Sequence, residues 1–328
     1  MTRKYSLDIL RILSAIAVVI IHVVTAPVNN ASAPIAPGLE SILHMIHALC
    51  YGAVPIFFMI TGYCMMLKKE CTYRYCFSHV AKFVGVLLTV GLCYALMEEV
   101  YAARTLNLAM ILRGLRAVLE GKLWDFMWYV YAIIGVYLVM PVLHSFLQKG
   151  KKEVLTFTAL LFLFTILFPS LSAWFTVGID FPIGGYLFYI CAGGAMARFP
   201  VRKSGLWKLI CTAVVVLYCV AVFGGYSFSL IWNPYLDPLV CVASVALFFL
   251  VSNLDIRGNQ AIRTFGACTW GIYLFHPLFL NLILKVLHLD LVSSLAIVKL
   301  PLLTLVLLVL SFGLTFILRK IPLVKHLF

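Results

Sequence analysis

The stretch Leu7–Ala26, LDILRILSAIAVVIIHVVTA, decides the fold class. As a helix it rises about 30 Å, the thickness of a bilayer's hydrocarbon core. Comparable apolar runs follow at His44–Leu67, Phe77–Met97, Phe126–Leu147, Val154–Phe175, Ile183–Ala197, Leu206–Gly225, Tyr235–Val251, Cys268–Leu287 and Leu300–Leu318. The 328 residues are 64% hydrophobic and 11% charged, with a mean hydropathy of +1.07. A soluble domain carries about a quarter charged residues. Lipid offers no partner for a backbone N–H or C=O, so runs of this length must be helical. None alternates as a barrel strand would. The sequence therefore predicts an all-α, polytopic membrane bundle of about ten transmembrane helices, one domain over residues 1–328. The sixth run is the shortest and is rich in glycine. Leu106–Leu119 carries Arg113 and Arg116 and reads as an amphipathic element lying on the membrane interface rather than crossing it.

Basic residues orient the bundle. Alternate connections hold Arg3/Lys4, Lys68/Lys69/Arg74, Lys149/Lys151/Lys152, Arg198/Arg202/Lys203/Lys208, Arg257/Arg263 and Arg319/Lys320/Lys325, together 17 of the 25 Lys and Arg. Of the opposite connections, Pro27–Leu43, Thr176–Pro182 and Tyr226–Pro234 hold none, and the four basic residues of Glu98–Asp125 are accompanied by Glu98, Glu99, Glu120 and Asp125. By the positive-inside rule both termini are cytoplasmic, which requires an even number of spans. The net charge of +13 thus reflects membrane topology and not a nucleic-acid partner. Eight of the ten cysteines fall inside the proposed spans, and Cys71 and Cys76 fall on the reducing side, so no disulfide framework is implied. No Cys/His spacing suggests a metal.

Ionisable groups within spans are costly and mark a pathway or a site. Asp8 and Arg11 are three residues apart and can pair on one face of the first helix. Arg11 and His22 are eleven apart, close to three full turns, so they share a face with an axial offset of about 16 Å. Arg11 also fits a snorkelling role at the headgroups, and His22 fits a hydrogen bond to a neighbouring helix. His276 stands before Pro277, which frees a backbone carbonyl one turn earlier that the ring could satisfy. Lys68, Lys69, Arg74, His79 and Lys82 form a basic cluster after the second span. Topology alone accounts for much of it, but Lys82 lies inside a span, and the cluster also suits a phosphorylated cytosolic ligand. Trp128 and Tyr129 fit an interfacial aromatic belt; Gly193 and Gly194 fit close helix packing; Asp180, Asn233 and Asp237 are polar groups on the outer side that could meet a carbohydrate hydroxyl.

These residues resemble the membrane-bound acyltransferase 3 family. The first span has a basic residue and a histidine separated by ten residues, Arg11 and His22. Val54–Tyr63, VPIFFMITGY, is similar to the family's second-span segment, with Thr61 where serine is usual. Trp128-Tyr129 with Tyr137-Leu138 and Pro141, then Gly271-Ile272-Tyr273 with His276-Pro277, continue the order. His79 and Lys82 stand where the family often has two arginines, which keeps positive charge but loses guanidinium geometry. Among family members the chain is similar to the short O-acetyltransferase type that acts on enterobacterial common antigen.

The resemblance implies a bacterial cytoplasmic-membrane enzyme that moves an acyl group, usually acetyl from acetyl-CoA, to a hydroxyl of a surface glycan or its lipid-linked precursor, with no metal. It implies His22 as catalytic base or transient acyl carrier, with Arg11 and Asp8 beside it. Donor contacts fall to Lys68, Lys69, Arg74, His79 and Lys82, and acceptor contacts to Thr61, Trp128, Tyr129, Tyr273 and His276. The partners are then acyl-CoA, the glycan and membrane lipids. A transporter or flippase of a small molecule or lipid-linked sugar also fits polar groups within spans. So does an amino-acid uptake or sensing module, since membrane regions resembling this family occur fused to other domains, although none is fused in this sequence.

Overall fold

A computed structural model describes residues 4–30, 35, 37–174, 184–201, 205–226, 233–287, 291, 295–322 and 324–328. The described residues form helices and turns without a strand. In order these are α1 (Tyr5–Asn30), α2 (Pro37–Leu49), α3 (Ala53–Met66), α4 (Tyr73–Val86), α5 (Leu92–Ala103), α6 (Leu108–Glu120), α7 (Trp128–Leu147), α8 (Lys151–Phe162), α9 (Phe168–Trp174), α10 (Tyr186–Arg198), α11 (Gly205–Phe223), α12 (Pro238–Ser252), α13 (Gln260–Leu287) and α14 (Ala296–Leu318). Short π-helical turns at Leu87–Gly91 and Leu163–Leu167 join α4 to α5 and α8 to α9.

Among the described residues eight helical segments are long and apolar enough to cross a membrane. They correspond to eight of the ten runs read from the sequence. The other two runs form the shorter helices α10 and α12, of 13 and 15 residues. At 1.5 Å per residue these are about 20 and 22 Å long, less than a hydrocarbon core. Local chemistry sets their ends. Asp237 starts α12 by accepting the N–H groups of Leu239 and Val240, with Pro238 at the first helical position. Pro200 follows the end of α10, where a helix cannot continue.

The chain forms two compact units, residues 1–67 with 147–316 and residues 68–146 with 317–328. In the first, α1 packs on α13, α3, α2 and α12, and α3 packs on α10. Val19 and Val23 of α1 join Leu43 of α2, Ile272 and Leu280 of α13, and Leu300 and Leu307 of α14 in one apolar cluster. The α3–α10 contact runs backbone to backbone. A Cβ on Gly62 would stand 2.0 Å from the Ile190 carbonyl oxygen, and one on Gly193 would stand 2.0 Å from that of Met59. Small residues permit that approach in a setting where helices gain little from hydrophobicity and depend on packing.

The second unit contains the amphipathic element expected at Leu106–Leu119, observed as α6. Asn107 caps it by accepting the Met110 N–H, and Gly121 ends it in the left-handed conformation, φ 68°. Met110, Gly114 and Val118 face inward at four-residue spacing, and Gly114 meets Leu92, Ala95 and Leu96 of α5. The outer face carries ion pairs of Arg113 with Glu99 at 2.6 Å and of Arg116 with Glu120 at 2.5 Å. Hydrogen bonds from Lys122 and Arg116 hold the Glu120 carboxyl down to about 2.

Replacing Gly193 with Ala forces α3 and α10 apart, at a cost of about 1–3 kcal/mol, and lowers the melting temperature of the detergent-solubilised protein. Gly313→Ala is the control, since nothing lies within 4 Å of a Cβ at that position. Its melting temperature is expected to stay at the wild-type value.

Candidate active site

The α1 helix presents Asp8, Arg11 and His22 to the interior of the first unit. Asp8 is 1% exposed. A Cβ on Gly266 would be only 3.1 Å from that of Asp8, so α13 crosses α1 closely here. Arg11 Nη1 donates to Asp8 Oδ1 at 2.8 Å, the pairing that the three-residue spacing predicts, and Nη2 donates to Cys64 Sγ of α3 at 3.2 Å. Its side chain keeps 31% exposure, which leaves part of the guanidinium for another ligand. The carboxylate thus both neutralises and aims the arginine.

About three turns further along, the half-buried His22 meets His276 of α13, with ring centroids 5.0 Å apart and planes inclined by 45°. His276 is fully buried, and its Nδ1 lies 2.9 Å from the Ile272 carbonyl oxygen. The carbonyl that Pro277 leaves without its helical donor is that of Tyr273, which also hydrogen-bonds the ring, and the ring faces His22 as well. Tyr273, one turn earlier, stacks on Trp270 and stands 6.4 Å from the His276 ring. His47 of α2 is an electrostatic neighbour of His22 and packs edge-on against Tyr51 at 4.7 Å. Thr61 turns its hydroxyl back to the Phe57 carbonyl at 3.0 Å. The hydroxyl shared with the family's serine therefore serves its own helix here, in the manner of mid-helix Ser and Thr.

A cavity of about 420 Å³ lies in the same unit, with Lys4, Tyr63, Lys151, Phe188, Trp207 and Phe249 among its lining residues. Lys4 Nζ donates to the Tyr63 hydroxyl at 2.9 Å. Tyr63 adjoins Cys64, the partner of Arg11. Neither this cavity nor the Cys64 contact was legible in the sequence, because both arise where α1, α3, α8 and α10 to α12 converge.

The basic cluster belongs to the second unit. Lys68 Nζ sits 4.0 Å from the Tyr75 ring centroid, and the Tyr75 hydroxyl meets His79 Nε2 at 3.1 Å. His79 stacks on Tyr137 of α7 at 5.0 Å. His79 and Lys82 line a basin of about 290 Å³ with Ser78, His326 and Leu327, and Arg319 is an electrostatic neighbour of Lys82. Sequence reasoning did not place His326 or Arg319 with this cluster; Arg319 entered it only as part of the basic tail after the last span. Lys69 and Arg74 are exposed and do not line this basin.

Trp128 and Tyr129 also lie in the second unit, at the start of α7, with rings 6.1 Å apart in an edge-on arrangement. Thr61, Tyr273 and His276 belong to the first. Of the outer polar residues, Asn233 donates to the Tyr186 hydroxyl at 2.6 Å and Asp237 caps α12. Both have structural partners. Asp180 lies outside the described residues. Among the described residues no group of three His, Cys, Asp or Glu side chains could hold a metal ion.

An amino-acid racemase of Enterococcus faecalis is 24% identical over 312 residues, covering 86% of this chain and 42% of that protein. The chain thus spans about two fifths of that relative's length. No solved structure matches. A family model described as an acyltransferase domain matches residues 4–320, which takes in α1, the α4 cluster and the His276 segment. The chain belongs to the acyltransferase 3 family of membrane acyltransferases.

Proposed function

We propose that this acyltransferase moves an acyl group, acetyl in the simplest case, from cytosolic acyl-CoA to a hydroxyl of a cell-surface glycan or its lipid-linked precursor in the bacterial cytoplasmic membrane. The observation that carries the reading is α1 itself: a carboxylate-steadied arginine and a histidine share one helix face with an axial offset of about 16 Å. That arrangement suits a reaction whose anionic donor and neutral acceptor are held at different depths.

In the reaction, a nitrogen of His22 takes the proton from the acceptor hydroxyl as its oxygen attacks the thioester carbonyl carbon. Collapse of the tetrahedral adduct breaks the C–S bond, and the proton passes from His22 to the departing CoA thiolate. General-base assistance of this kind contributes about 10²–10⁴-fold. Holding the two reactants in register in a water-poor setting supplies further rate. Arg11 holds an anionic or carbonyl oxygen of the donor. Lys82 and His79 in their basin, with Lys68, Lys69 and Arg74 nearby in sequence, attract CoA phosphates. The 420 Å³ cavity of the first unit has the size of a small-molecule site, and its apolar walls and two lysines suit an acyl-pantetheine arm. Thr61, Trp128, Tyr129, Tyr273 and His276 are assigned to the acceptor side on family resemblance.

The direct test is purified, reconstituted protein with radiolabelled acetyl-CoA and a panel of neutral, amino-sugar and lipid-linked glycans. Label transfer supports the reading. Substrate counterflow without CoA release would replace it with a transporter. His22→Ala is expected to lower transfer by about 10²–10⁴-fold in a variant that still reaches the membrane, and a fully active variant would end the role given to His22. Arg11→Lys keeps the charge but loses the second donating arm to Cys64. It should raise the KM for acetyl-CoA with little change in kcat. Lys82→Gln and Lys151→Gln test the two donor contacts one at a time: each is expected to raise that KM, and an unchanged KM removes the contact of the lysine replaced.

A further inference from the structure

The segment that follows α14 folds back onto α4 within the second unit. The Val324 and Lys325 N–H groups donate to the Ile321 carbonyl at 3.2 and 2.9 Å, and the Leu327 N–H donates to the Val324 carbonyl at 2.9 Å. Leu327 rests against Gly85, where an added Cβ would stand 3.2 Å from its Cδ2. Ser78, Lys82 and Gly85 follow one another at spacings of four and three, so they share a face of α4. With Leu327 seated there, His326 lines the basin of about 290 Å³ together with Ser78, His79 and Lys82.

His79 shapes this basin with its ring nitrogens already engaged. A carbonyl oxygen only accepts, so His79 Nδ1 gives its hydrogen to the Tyr75 carbonyl at 3.0 Å, and Nε2 meets the Tyr75 hydroxyl at 3.1 Å. Ser78 Oγ likewise donates to the Tyr75 carbonyl, at 2.7 Å. Donation to an anion therefore falls to Lys82 and to the residues after α14. Among the described residues the charged neighbours of His79 and Lys82 are all cations: Lys82 and Lys68 for His79, Arg319 for Lys82. Like charges gathered in one place repel, and an anion among them relieves that repulsion. Arg319 also brings to the cluster the planar, forked guanidinium that His79 and Lys82 do not provide.

We propose that Lys82, Arg319 and His326 form a phosphate subsite that binds the 3′-phosphate of the CoA donor. A terminal phosphate monoester carries about −1.5 to −2 charge at pH 7 and three strong acceptor oxygens. Lys82 and Arg319 match that charge, and the His326 ring supplies a third donor. The two phosphates of the CoA diphosphate are diesters with a single charge each, a poorer match for paired cations. The segment after α14 is then part of the donor site, and Gly85 acts by seating it. This inference rests on acyl-CoA being the donor.

The assay uses the whole chain in phosphatidylcholine vesicles, the panel glycan that the wild type labels best, and two donors, acetyl-CoA and acetyl-dephospho-CoA, which lacks only the 3′-phosphate. The wild type is expected to show a KM about tenfold lower for acetyl-CoA, the worth of a charge-assisted hydrogen bond. Arg319→Gln and His326→Ala should each raise that KM and leave the KM for the dephospho donor in place, so the preference closes. Both side chains are exposed, and an unchanged melting temperature checks that the fold survives. Gly85→Leu keeps every charge but unseats Leu327, and it should close the preference too; it decides the matter with His326→Ala if Arg319→Gln is unstable. Lys325→Gln removes an exposed cation of the same segment that does not line the basin, and both KM values should stay at the wild-type level. A wild-type preference retained in Arg319→Gln and His326→Ala overturns the subsite, and a raised KM in Lys82→Gln then leaves the donor reading standing without it. Equal KM values for the two donors in the wild type also overturn it. If phosphatidic acid in the vesicles then raises the melting temperature of the wild type but not of Arg319→Gln, the phosphate bound there is a lipid headgroup. No label transfer from either donor removes the donor reading and the subsite together.

Discussion

Hydrocarbon cannot hydrogen-bond, and most of the polar architecture of this chain follows from that constraint. Its described spans are helical, and many of the hydroxyls within them fold back onto carbonyls of their own helix. Thr25, Thr61, Thr158, Thr165, Ser170, Ser244, Thr304 and Thr315 each donate to the carbonyl four residues earlier. A polar group satisfied in this way costs little and does little chemistry. Against that background Asp8, Arg11, His22 and His276 differ. Asp8 and Arg11 pair side chain to side chain, and His22 and His276 meet between helices, His276 in addition to its tie to Ile272 of its own helix; burying such groups is worthwhile where they act on something else.

Close packing makes those contacts reproducible. The glycines of α3 and α10 allow one backbone to lie on another, and Gly266 brings α13 onto the buried carboxylate of α1. Arg11 is then held from two sides, by Asp8 on its own helix and by Cys64 on α3. The same crossing of α1 and α13 delivers His276 to His22. Charge neutralisation at one level of the helix and ring-to-ring contact at another are therefore consequences of one packing arrangement.

Features confined to a single helix were legible in the sequence. The Asp8–Arg11 pair follows from three-residue spacing, and α6 follows from Arg113 and Arg116 within an otherwise apolar stretch. The membrane class follows from run length and composition. The His22–His276 contact was not legible, because no periodicity links residues on the first and thirteenth helices. The basin at Lys82 was half legible: its α4 residues follow from charge, whereas His326 arrives through tertiary folding. The two shortest runs were counted as spans from hydropathy alone, which does not weigh the Asp-Pro start of α12 or the proline after α10. Thr61 is a case where the motif position points outward to a ligand while the hydroxyl also donates to the Phe57 carbonyl of its own helix, a bond that no motif announces.

The π-helical turn at Leu87–Gly91 has a consequence for how one rod can carry two faces. There the Leu92 N–H reaches back five residues to the Leu87 carbonyl, one more than in an α-helix. The extra residue advances the angular phase of everything beyond it by about 100°. The stripe bearing His79 and Lys82 before the turn is therefore out of step with the stripe that buries Tyr94 against Trp124 at 4.5 Å after it. A continuous helix can in this way keep a basic flank at one end and an aromatic seam at the other, each in its own azimuth, without a break in backbone hydrogen bonding. Removing a single residue from the turn would bring the two halves into one phase and oblige the rod to surrender one of its faces.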